Sequence, residues 1–507
     1  MLKFPGSAQW TLFFLLIPRL LDCQTAHWQT QLASQDILNL REYVQDRMAA
    51  DQIPSIAISV VLGDKILWEE GFGLADRERR VRASAHTPFY LASITKAITG
   101  TAVVVLQDQG KINLDHPVND YLGEAKVRSP MWNPPEATVR RVATHTAGLT
   151  TYNRKCALAD PHCEVSTDTA IRRYGILFWP PGDHFDYSNL GYGILGEVVA
   201  RASGENYADF LRDKVFLPLG MNDCFLATAN TSTGVRAAQY DSSSHARTPV
   251  QISDTPGASS AHCSVHDLAL FGMFALGEQL PSQKRILSAA ALQMMLSPTV
   301  DAGDGERYGF GWSLQSDHHG YVGLYAQGGT NDSFAVLQMI PSEKIAVAVI
   351  ANTGTTVPFE IVDKILSALL PRYREALANE KPTAPQPDFK PVTNSFLVGS
   401  WTGALQTWKG GVPLAIEISP SLQVRAKWAT DQWTTASNVS VAYPRFYCVV
   451  RGVIGTLDAP QFASDVELEL YLHNRVLVGA ATTKDGVQLP YWVQLKPSSL
   501  RPNNPAK

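Results

Sequence analysis

The stretch Thr87-Pro-Phe-Tyr-Leu-Ala-Ser-Ile-Thr-Lys96 decides how this sequence is interpreted, because it leads directly into a long apolar segment. From Ile94 to Gln109 the chain is rich in alanine and valine and nearly free of charge. Gly110 follows, and glycine supplies the left-handed conformation that commonly ends a helix. The pattern predicts a buried helix entered from a loop, with Ser93 at its start.

Ser93 and Lys96 are spaced so that a helix brings their side chains together. Residues i and i+3 lie about one turn apart on the same face, so the lysine nitrogen can reach the serine oxygen. Unpaired N–H groups at a helix start favour negative charge, such as an oxyanion beside a nucleophile. Burial would lower the pKa of Lys96 and let it act as a base. The alternative is a helix cap followed by a surface lysine.

Two later segments carry groups that suit the same chemistry. Tyr187-Ser-Asn189 follows a Pro-Pro-Gly loop, and a tyrosine near a lysine can act as general acid or base while an asparagine amide binds a substrate carbonyl. Just before a predicted strand over Phe334–Ile340, glycines on an edge strand would let a ligand approach the backbone. The candidate substrate-binding residues there are Gln327, Gly328, Gly329 and Thr330. The alternative for Tyr187–Asn189 is a helix start with a polar cap, and the alternative for the glycine segment is a bulge or turn.

Hydrophobic periodicity predicts a first domain that mixes helices with β-hairpins. Apolar residues at helical spacing mark a helix over Asp36–Ala49, and a second helix is predicted over Val357–Ala378. The runs around residues 56–70 and 336–350 predict two hairpins. We therefore expect one domain, large enough to be an enzyme's catalytic domain, over residues 36–378.

The composition changes after this domain. Four prolines in residues 379–391 predict a stiff linker. Apolar and polar residues then alternate over Val466–Leu472, which is typical of a strand with one buried face. We expect a smaller all-β domain over residues 392–497, separable from the chemistry of the first domain.

Composition excludes several classes of protein. Of the 507 residues, 45% are hydrophobic and 18% charged, which is enough apolar material for a large core and excludes a wholly disordered chain. The formal net charge is -4 and no basic block stands out, so a nucleic-acid partner is not expected. Outside the N-terminus, no apolar run approaches the roughly 18 residues that a membrane span needs. The expected partner is a small-molecule or peptide substrate.

The N-terminus predicts export. Lys3 precedes an apolar run, so residues 1–26 are predicted to be a signal peptide with cleavage near Thr25 or Ala26. The alternative is an apolar start that is never cleaved. Cys23 is a weak candidate for a lipid anchor, because Asp22 does not suit the preceding position. The expected location is periplasmic, cell-surface or secreted.

The cysteines and histidines give weaker signals. Cys156 and Cys163 are close in sequence and would form a local disulfide in an oxidising compartment, or remain free thiols. His262 and His266 have the i,i+4 spacing of a metal-binding pair. No companion cluster is visible in the sequence, so no metal site is predicted.

Taken together, the motifs resemble the serine β-lactamase and penicillin-binding-protein superfamily, and specifically its class C-like branch. The resemblance covers about residues 36–375. It rests on several segments in the same order: Ser93-x-x-Lys96 with its flanks, Leu114-Asp-His-Pro-Val118, His145-Thr-Ala-Gly-Leu149, Pro181 through Tyr192, Pro218-Leu-Gly-Met221 and Tyr308-Gly-Phe-Gly-Trp312.

The resemblance implies an α/β (α+β) fold in which helices sandwich an antiparallel sheet. It also implies that Ser93 attacks and is acylated, that Lys96 assists its deprotonation, and that Tyr187 acts as acid and base. Asn189 would contact the substrate amide, and N–H groups of Ser93 and about Thr330 would form the oxyanion hole. The implied reaction is hydrolysis of an ester, amide, D-amino-acid peptide or β-lactam, without a metal or organic cofactor.

One position departs from the family pattern. Gln327 stands where the family usually has lysine or histidine, which weakens recognition of a substrate carboxylate. We therefore expect uncharged or unusual acyl substrates and slow turnover of penicillins. The rival interpretations are a non-catalytic binding protein that keeps the fold, and an interaction protein whose C-terminal domain carries the function.

Overall fold

The computed structural model describes residues 32–160, 165–227, 236–380, 396–428, 432–442 and 444–498. The predicted signal peptide, Cys23, Cys163 and residues 381–391 of the predicted linker lie outside the described residues. Within the described ranges, no helix combines the length and the apolar character that crossing a membrane requires.

The helices of the described chain belong almost entirely to its first three quarters. They are α1 (Ser34–Ala50), α2 (Thr95–Asp108), α3 (Val139–Ala143), α4 (Thr167–Tyr174), α5 (Asn189–Ser203), α6 (Tyr207–Leu211), α7 (Leu217–Leu219), α8 (Pro256–Ser259), α9 (Val265–Ala275), α10 (Ala289–Met295), α11 (Val357–Leu369) and α12 (Pro371–Ala378).

The strands form two large sheets and two small ones. In chain order they are β1 (Ser55–Leu62), β2 (Lys65–Asp76), β3 (Val81–Arg82), β4 (Phe89–Tyr90), β5 (Lys155–Ala157), β6 (Phe225–Leu226), β7 (Gln251–Ser253), β8 (Ala261–Cys263), β9 (Val300–Gly303), β10 (Glu306–Gly309), β11 (Trp312–His318), β12 (Tyr321–Thr330), β13 (Ser333–Ile340), β14 (Ile345–Ala351), β15 (Gly399–Thr407), β16 (Gly410–Ile418), β17 (Val424–Trp428), β18 (Thr434–Thr435), β19 (Ser437–Ala442), β20 (Arg445–Gly452), β21 (Ser464–His473), β22 (Val476–Thr483) and β23 (Pro490–Pro497).

The first large sheet is antiparallel, in the order β3-β2-β1-β14-β13-β12-β11-β10-β9. Strand β14, the fourth of these nine, is buried along its whole length, as its unbroken apolar sequence requires when both faces are covered. On one face α1 and α11 pack against the sheet, and on the other face α9 does so. This arrangement confirms the predicted antiparallel sheet sandwiched by helices.

The second large sheet forms the C-terminal domain, in the order β18-β17-β16-β15-β23-β22-β21-β20-β19. Every strand pairs antiparallel with its neighbours, and β17 also lies against β20, so the sheet curls into a near-barrel. In β21 the residues at alternate positions are buried, as the alternation over Val466–Leu472 predicts. The predicted separate all-β domain is confirmed.

Several local predictions are confirmed and one is wrong. The two hairpins appear as β1–β2 and β13–β14, and Gly110 follows α2 with a φ of +68°. The helix predicted over Val357–Ala378 is two helices, α11 and α12, separated at Leu370. Pro371 explains the break, because proline lacks the N–H that would continue the helix and disfavours helical backbone in the residue before it.

Candidate active site

Ser93 lies in a tight turn that feeds the buried helix α2. The 3₁₀ turn Ala92–Ile94 precedes α2, and Ala92 has a φ of +45° although it is not glycine. Such backbone costs on the order of 1–3 kcal/mol and persists only where the surroundings hold it. The hydroxyl of Thr95 donates to the Ala92 carbonyl at 2.7 Å and holds the turn. Backbone strain therefore lies directly beside the predicted nucleophile.

Lys96 is buried directly behind Ser93. Its Nζ lies 3.0 Å from Ser93 Oγ, 2.7 Å from Asn189 Oδ1 and 3.1 Å from the Ala258 carbonyl oxygen. As a neutral amine it donates its two hydrogens to Asn189 and Ala258, which leaves its lone pair for the Ser93 hydroxyl. Only 1% of the lysine is exposed. Burial lowers the pKa of Lys96 well below its usual value, and the charge of Lys155 lowers it further. The spacing prediction that Lys96 reaches Ser93 agrees with this geometry, and a neutral amine there can accept the serine proton.

Tyr187 is the second side chain that contacts Ser93 Oγ. Its hydroxyl donates to Ser93 Oγ at 3.0 Å, and its ring lies 4.6 Å from Lys96 Nζ. The next residue, Ser188, caps α5 by accepting from Gly191 N at 3.2 Å, which fixes the end of the loop. Burial raises the pKa of Tyr187 to about 12, although its hydrogen bond to Ser93 lowers the pKa in part. Tyr187 is therefore a neutral phenol at ordinary pH and enters the site as a proton donor.

Asn189, the first residue of α5, orients Lys96. Its Oδ1 accepts from Lys96 Nζ, and its Nδ2 donates to the Tyr152 carbonyl at 2.9 Å. Both ends of the amide thus contact the protein itself. The predicted contact of Asn189 with a substrate amide stays a prediction.

Strand β12 passes close to Ser93, and glycine makes this approach possible. A Cβ on Gly328 would lie 2.1 Å from the Leu91 carbonyl oxygen and 2.4 Å from Ser93 N. Any larger residue would push the strand away from the turn. A Cβ on Gly329 would instead meet the ring of Phe334 at 2.8 Å. The two faces of β12 are therefore identified: Gly328 faces Ser93, and Gly329 faces Phe334.

This alternation changes the interpretation of Gln327. Side chains two residues apart lie on one face of a strand, so Ala326 shares the Ser93 face with Gly328, and Gln327 shares the other face with Gly329. Burial agrees, because Ala326 is buried and Gln327 is exposed. Gln327 lines the rim of the site, but its Cβ is directed away from Ser93. The strand therefore offers a methyl group, and not an amide, on its inner face.

The sequence predicts β12 as an edge strand, and this holds for only half of its length. The ladder with β11 reaches no further than Tyr325, which pairs with Ser313, whereas the ladder with β13 continues to Thr330. Residues 326–330 thus have an unpaired side toward the site. A cavity of about 240 Å³ opens there. It is lined by Ser93, Lys96, Tyr187, Tyr308, Gly311, Ser313, Tyr325, Ala326, Gln327, Gly328, Gly329 and Phe334.

His145 is a site residue to which the sequence analysis gave no role. It has a φ of +57°, is 2% exposed, and accepts from Ser188 N through Nδ1 at 3.1 Å. Its ring lies 4.4 Å from that of Tyr187. Burial, and then the charge of Lys96, hold the pKa of His145 well below its usual range, so the ring is neutral. His145 therefore packs against Tyr187 as an uncharged ring. In the sequence, the segment His145–Leu149, which resembles a family landmark, is the feature that could have identified it.

The C-terminal domain packs on the segment that leads to Tyr187. Asp458 accepts hydrogen bonds from Tyr174, from Arg173 at 3.3 Å and from Trp408 at 3.2 Å. An apolar cluster continues the contact across the two domains. Its buried members are Ile176, Phe178, Trp179, Val478, Ala480 and Trp492.

From this cluster a short chain of contacts reaches the tyrosine. Trp179 Nε1 donates to Asp186 Oδ2 at 2.7 Å, and Asp186 N donates to the His145 carbonyl at 2.8 Å. Burial raises the pKa of Asp186. Burial and then the charge of Asp186 raise the pKa of Glu469, on β21, to about 7. The expectation that the β domain is separable from the chemistry does not account for these contacts.

Residues 40–371 match the family model described as Beta-lactamase. Among curated proteins, Protein flp of Staphylococcus aureus (strain N315) is 25% identical over 348 residues, which are 67% of this chain and 67% of that protein. Unguisins hydrolase ungD' of Aspergillus campestris is 26% identical over 403 residues, or 71% of this chain and 74% of that protein.

Solved structures show the same fold. An octameric penicillin-binding protein homologue from Pyrococcus abyssi has a TM-score of 0.56 at 20% identity, over 91% of this chain and all of that one. SurE with D-Leu has a TM-score of 0.59 at 19% identity, over 90% of this chain and all of that one. A class C β-lactamase from Rhodobacter sphaeroides has a TM-score of 0.53 at 22% identity, over 67% of this chain and 99% of that one. The first two matches extend over both domains.

Proposed function

Because the chain belongs to the β-lactamase family, we propose that it is a serine hydrolase that forms an acyl-enzyme on Ser93. The proposed substrates are esters, amides, D-amino-acid peptides or β-lactams. The reaction is transfer of the acyl group to water and uses only groups of this chain.

One observation carries the proposal. Ser93 Oγ lies 3.0 Å from Lys96 Nζ and 3.0 Å from Tyr187 Oη, at the rim of a cavity. These distances allow direct proton transfer. Burial favours the neutral form of both partners. The neutral amine of Lys96 can accept a proton, whereas the neutral phenol of Tyr187 can donate one. A base and an acid therefore contact the same oxygen.

The acylation step follows from this pair. Lys96 takes the proton of Ser93 as Oγ attacks the substrate carbonyl, and the tetrahedral oxyanion faces Ser93 N–H and the unpaired side of β12. Tyr187 gives its proton to the leaving group as the bond to the carbonyl carbon breaks. The proton on Lys96 then returns to Tyr187, whose ring lies 4.6 Å away.

Hydrolysis of the acyl-enzyme reverses these roles. A water molecule attacks the ester carbonyl while the lysine–tyrosine pair accepts its proton. The same pair returns a proton to Ser93 Oγ as the acid product leaves. Donors fixed by the fold stabilise the oxyanion in both steps, and one such donor is typically worth about 2.7–4 kcal/mol.

The free side of β12 favours an extended, peptide-like substrate. Main-chain hydrogen bonds to an unpaired strand hold an extended ligand without reading its side chains. Among the similar proteins, one is named a hydrolase of unguisins, another is described with D-Leu and a third, a class C β-lactamase, is described in complex with cefoxitin.

We also propose that the protein is exported to the periplasm, the cell surface or the medium. The supporting observation is a disulfide between Cys224 and Cys263, since such bonds persist in oxidising compartments. The sequence analysis did not anticipate this pair, because the two cysteines are 39 residues apart. A lipid anchor at Cys23 remains a weaker proposal.

A turnover screen tests the proposed function. The full chain is assayed with a neutral nitrophenyl ester, a D-amino-acid peptide amide and a penicillin, beside Ser93→Ala and Ser313→Ala. Ser313 lines the same cavity and is the matched control. We expect turnover of at least one class by wild type and Ser313→Ala, and loss of that turnover in Ser93→Ala. Absence of turnover and of covalent adduct with all three classes would support a non-catalytic binding protein.

A further inference from the structure

A second cluster of reactive side chains lies away from Ser93. Glu69, His86 and His266 each offer one ligand atom, and within the described part of the chain these atoms all lie within 4.8 Å of one another. None of the three lines the cavity at Ser93. We propose that they bind a transition-metal dication of the Zn²⁺ class.

The three ligands come from segments that the fold locks together. Glu69 lies on β2, His86 lies between β3 and β4, and His266 is the second residue of α9. The backbone joins the two histidine segments directly, because His266 N donates to the Ala85 carbonyl at 3.1 Å. Strand β4 also pairs with β8, which ends two residues before α9. The ligand positions are therefore set by the fold before any ion binds.

His86 is oriented for coordination by a carboxylate behind it. Its Nδ1 lies 2.9 Å from Asp223 Oδ2, so Nδ1 carries the hydrogen and Nε2 is the nitrogen left for a metal. Metal-binding histidines commonly donate their other N–H to a carboxylate, which fixes the ring and its tautomer. Asp223 is itself fixed, since its N–H donates to Asp267 Oδ2 at 2.8 Å. The disulfide at the neighbouring Cys224 ties this segment to β8.

His266 and Glu69 complete the set. In the metal-free chain His266 Nδ1 and Glu69 Oε2 form a hydrogen bond of 2.8 Å, which a bound ion would replace, and the ring centroids of His86 and His266 are 4.5 Å apart. Two imidazoles and one carboxylate leave a fourth position for water in a tetrahedral site. The side chains of Glu69 and His266 are each 28% exposed and that of His86 is 58% exposed, so an ion can enter from solvent.

The charge around the cluster favours a dication. Glu69 and Asp223 place negative charge at the cluster, through Glu69 Oε2 beside His266 and Asp223 Oδ2 beside His86. Imidazole with carboxylate selects zinc-like ions over calcium or magnesium, which prefer all-oxygen sites.

The i,i+4 pair considered in the sequence analysis does not form. His262 is buried and stacks on Phe225 at 5.0 Å, whereas His266 turns to Glu69 and His86. Burial lowers the pKa of His262 to about 3. The partners of His266 are distant in sequence, which is why residue spacing indicated no metal site.

The test is zinc binding by the full chain, made without a histidine tag and dialysed against chelator. We expect one equivalent of Zn²⁺ to bind and to raise the melting temperature, and Co²⁺ to give a tetrahedral visible absorption band. His86→Gln and His266→Gln should abolish the band. Asp223→Asn removes no ligand and should weaken affinity by about 10–100-fold.

His116→Gln is the matched control, because His116 is exposed and belongs to a different loop. It should bind zinc like wild type, and circular dichroism checks that every variant is folded. No zinc binding by wild type overturns the proposal. The proposal is also overturned if His86→Gln, His266→Gln and Asp223→Asn all keep the wild-type zinc affinity and cobalt spectrum, because the ion would then bind elsewhere.

Discussion

The two sides of the candidate active site are held in different ways. Ser93 and Lys96 belong to a turn and a helix, α2, that is buried within the first domain. Tyr187 belongs to a loop whose preceding segment, residues 173–179, packs on the C-terminal β domain. The proposed nucleophile and its proposed base are thus positioned locally, whereas the segment that leads to the proposed acid contacts the other domain. We therefore expect the β domain to affect a site to which none of its described residues contributes lining.

The largest expected effect comes from removing the proton-transfer groups themselves. Lys96→Ala removes the base and Tyr187→Phe removes the acid, and each should lower the rate of Ser93 acylation by about 10²–10⁴-fold. The measurement is the single-turnover acylation rate with a neutral ester. Unchanged acylation rates in both variants would contradict the roles assigned to Lys96 and Tyr187 and would mean that another group deprotonates Ser93.

The pH dependence separates the two groups. Because the pKa of Lys96 is lowered, its neutral, proton-accepting form predominates above that pKa, so the acylation rate should rise with pH and then level off. Tyr187 keeps its proton up to about pH 12, so no fall is expected in the neutral range. Measuring kcat/KM against pH checks this, and Lys96→Ala should lose the rising limb. A profile that Lys96→Ala does not alter contradicts the assignment.

A smaller effect is expected from loosening the contact between the domains. Trp492→Ala empties the buried space beside Phe178 and Trp179 and frees the segment before Tyr187. A displacement of about 1 Å at a reacting group can cost on the order of 10²-fold, so we expect kcat/KM to fall by about 10–100-fold. The kinetic assay uses the folded, full chain below its melting temperature.

Trp433→Ala is the control for this change, since Trp433 lies in the same domain but is exposed. It should leave kcat/KM unaltered. If Trp492→Ala lowers the melting temperature yet keeps full kcat/KM, the β domain supports stability alone. The site would then be separable, as the linker and the change in composition suggest.

The smallest effect concerns strand β12. The resembled family places a cationic or titratable residue here, and the strand geometry assigns the inner face to Ala326 and not to Gln327. A charge-assisted hydrogen bond is roughly twice as strong as a neutral one. Ala326→His should therefore raise penicillin acylation about tenfold relative to a neutral ester. Gln327→His should leave the ratio unchanged, and the opposite pattern would contradict the assigned faces.

Contacts between residues that are close in sequence could be predicted, whereas contacts between distant segments could not. The Ser93–Lys96 pair follows from helix geometry over three residues, and the hairpins follow from local alternation. The side of β12 that faces Ser93 was not predictable, because a shift of one residue reverses every side chain. Asp458 with Tyr174 and Cys224 with Cys263 join distant segments, and no local pattern contains their pairing. The break between α11 and α12 could have been predicted from Pro371, but one continuous helix was predicted there.

The proposed mechanism requires that Ser93 Oγ is the atom that is acylated. The measurement is intact mass followed by peptide mapping of the full chain after reaction with a fluorophosphonate, for wild type, Ser93→Ala and Ser313→Ala. We expect a single adduct on the peptide that contains Ser93 in wild type and in Ser313→Ala, and none in Ser93→Ala. An adduct on another serine, or an adduct that persists in Ser93→Ala, would contradict it.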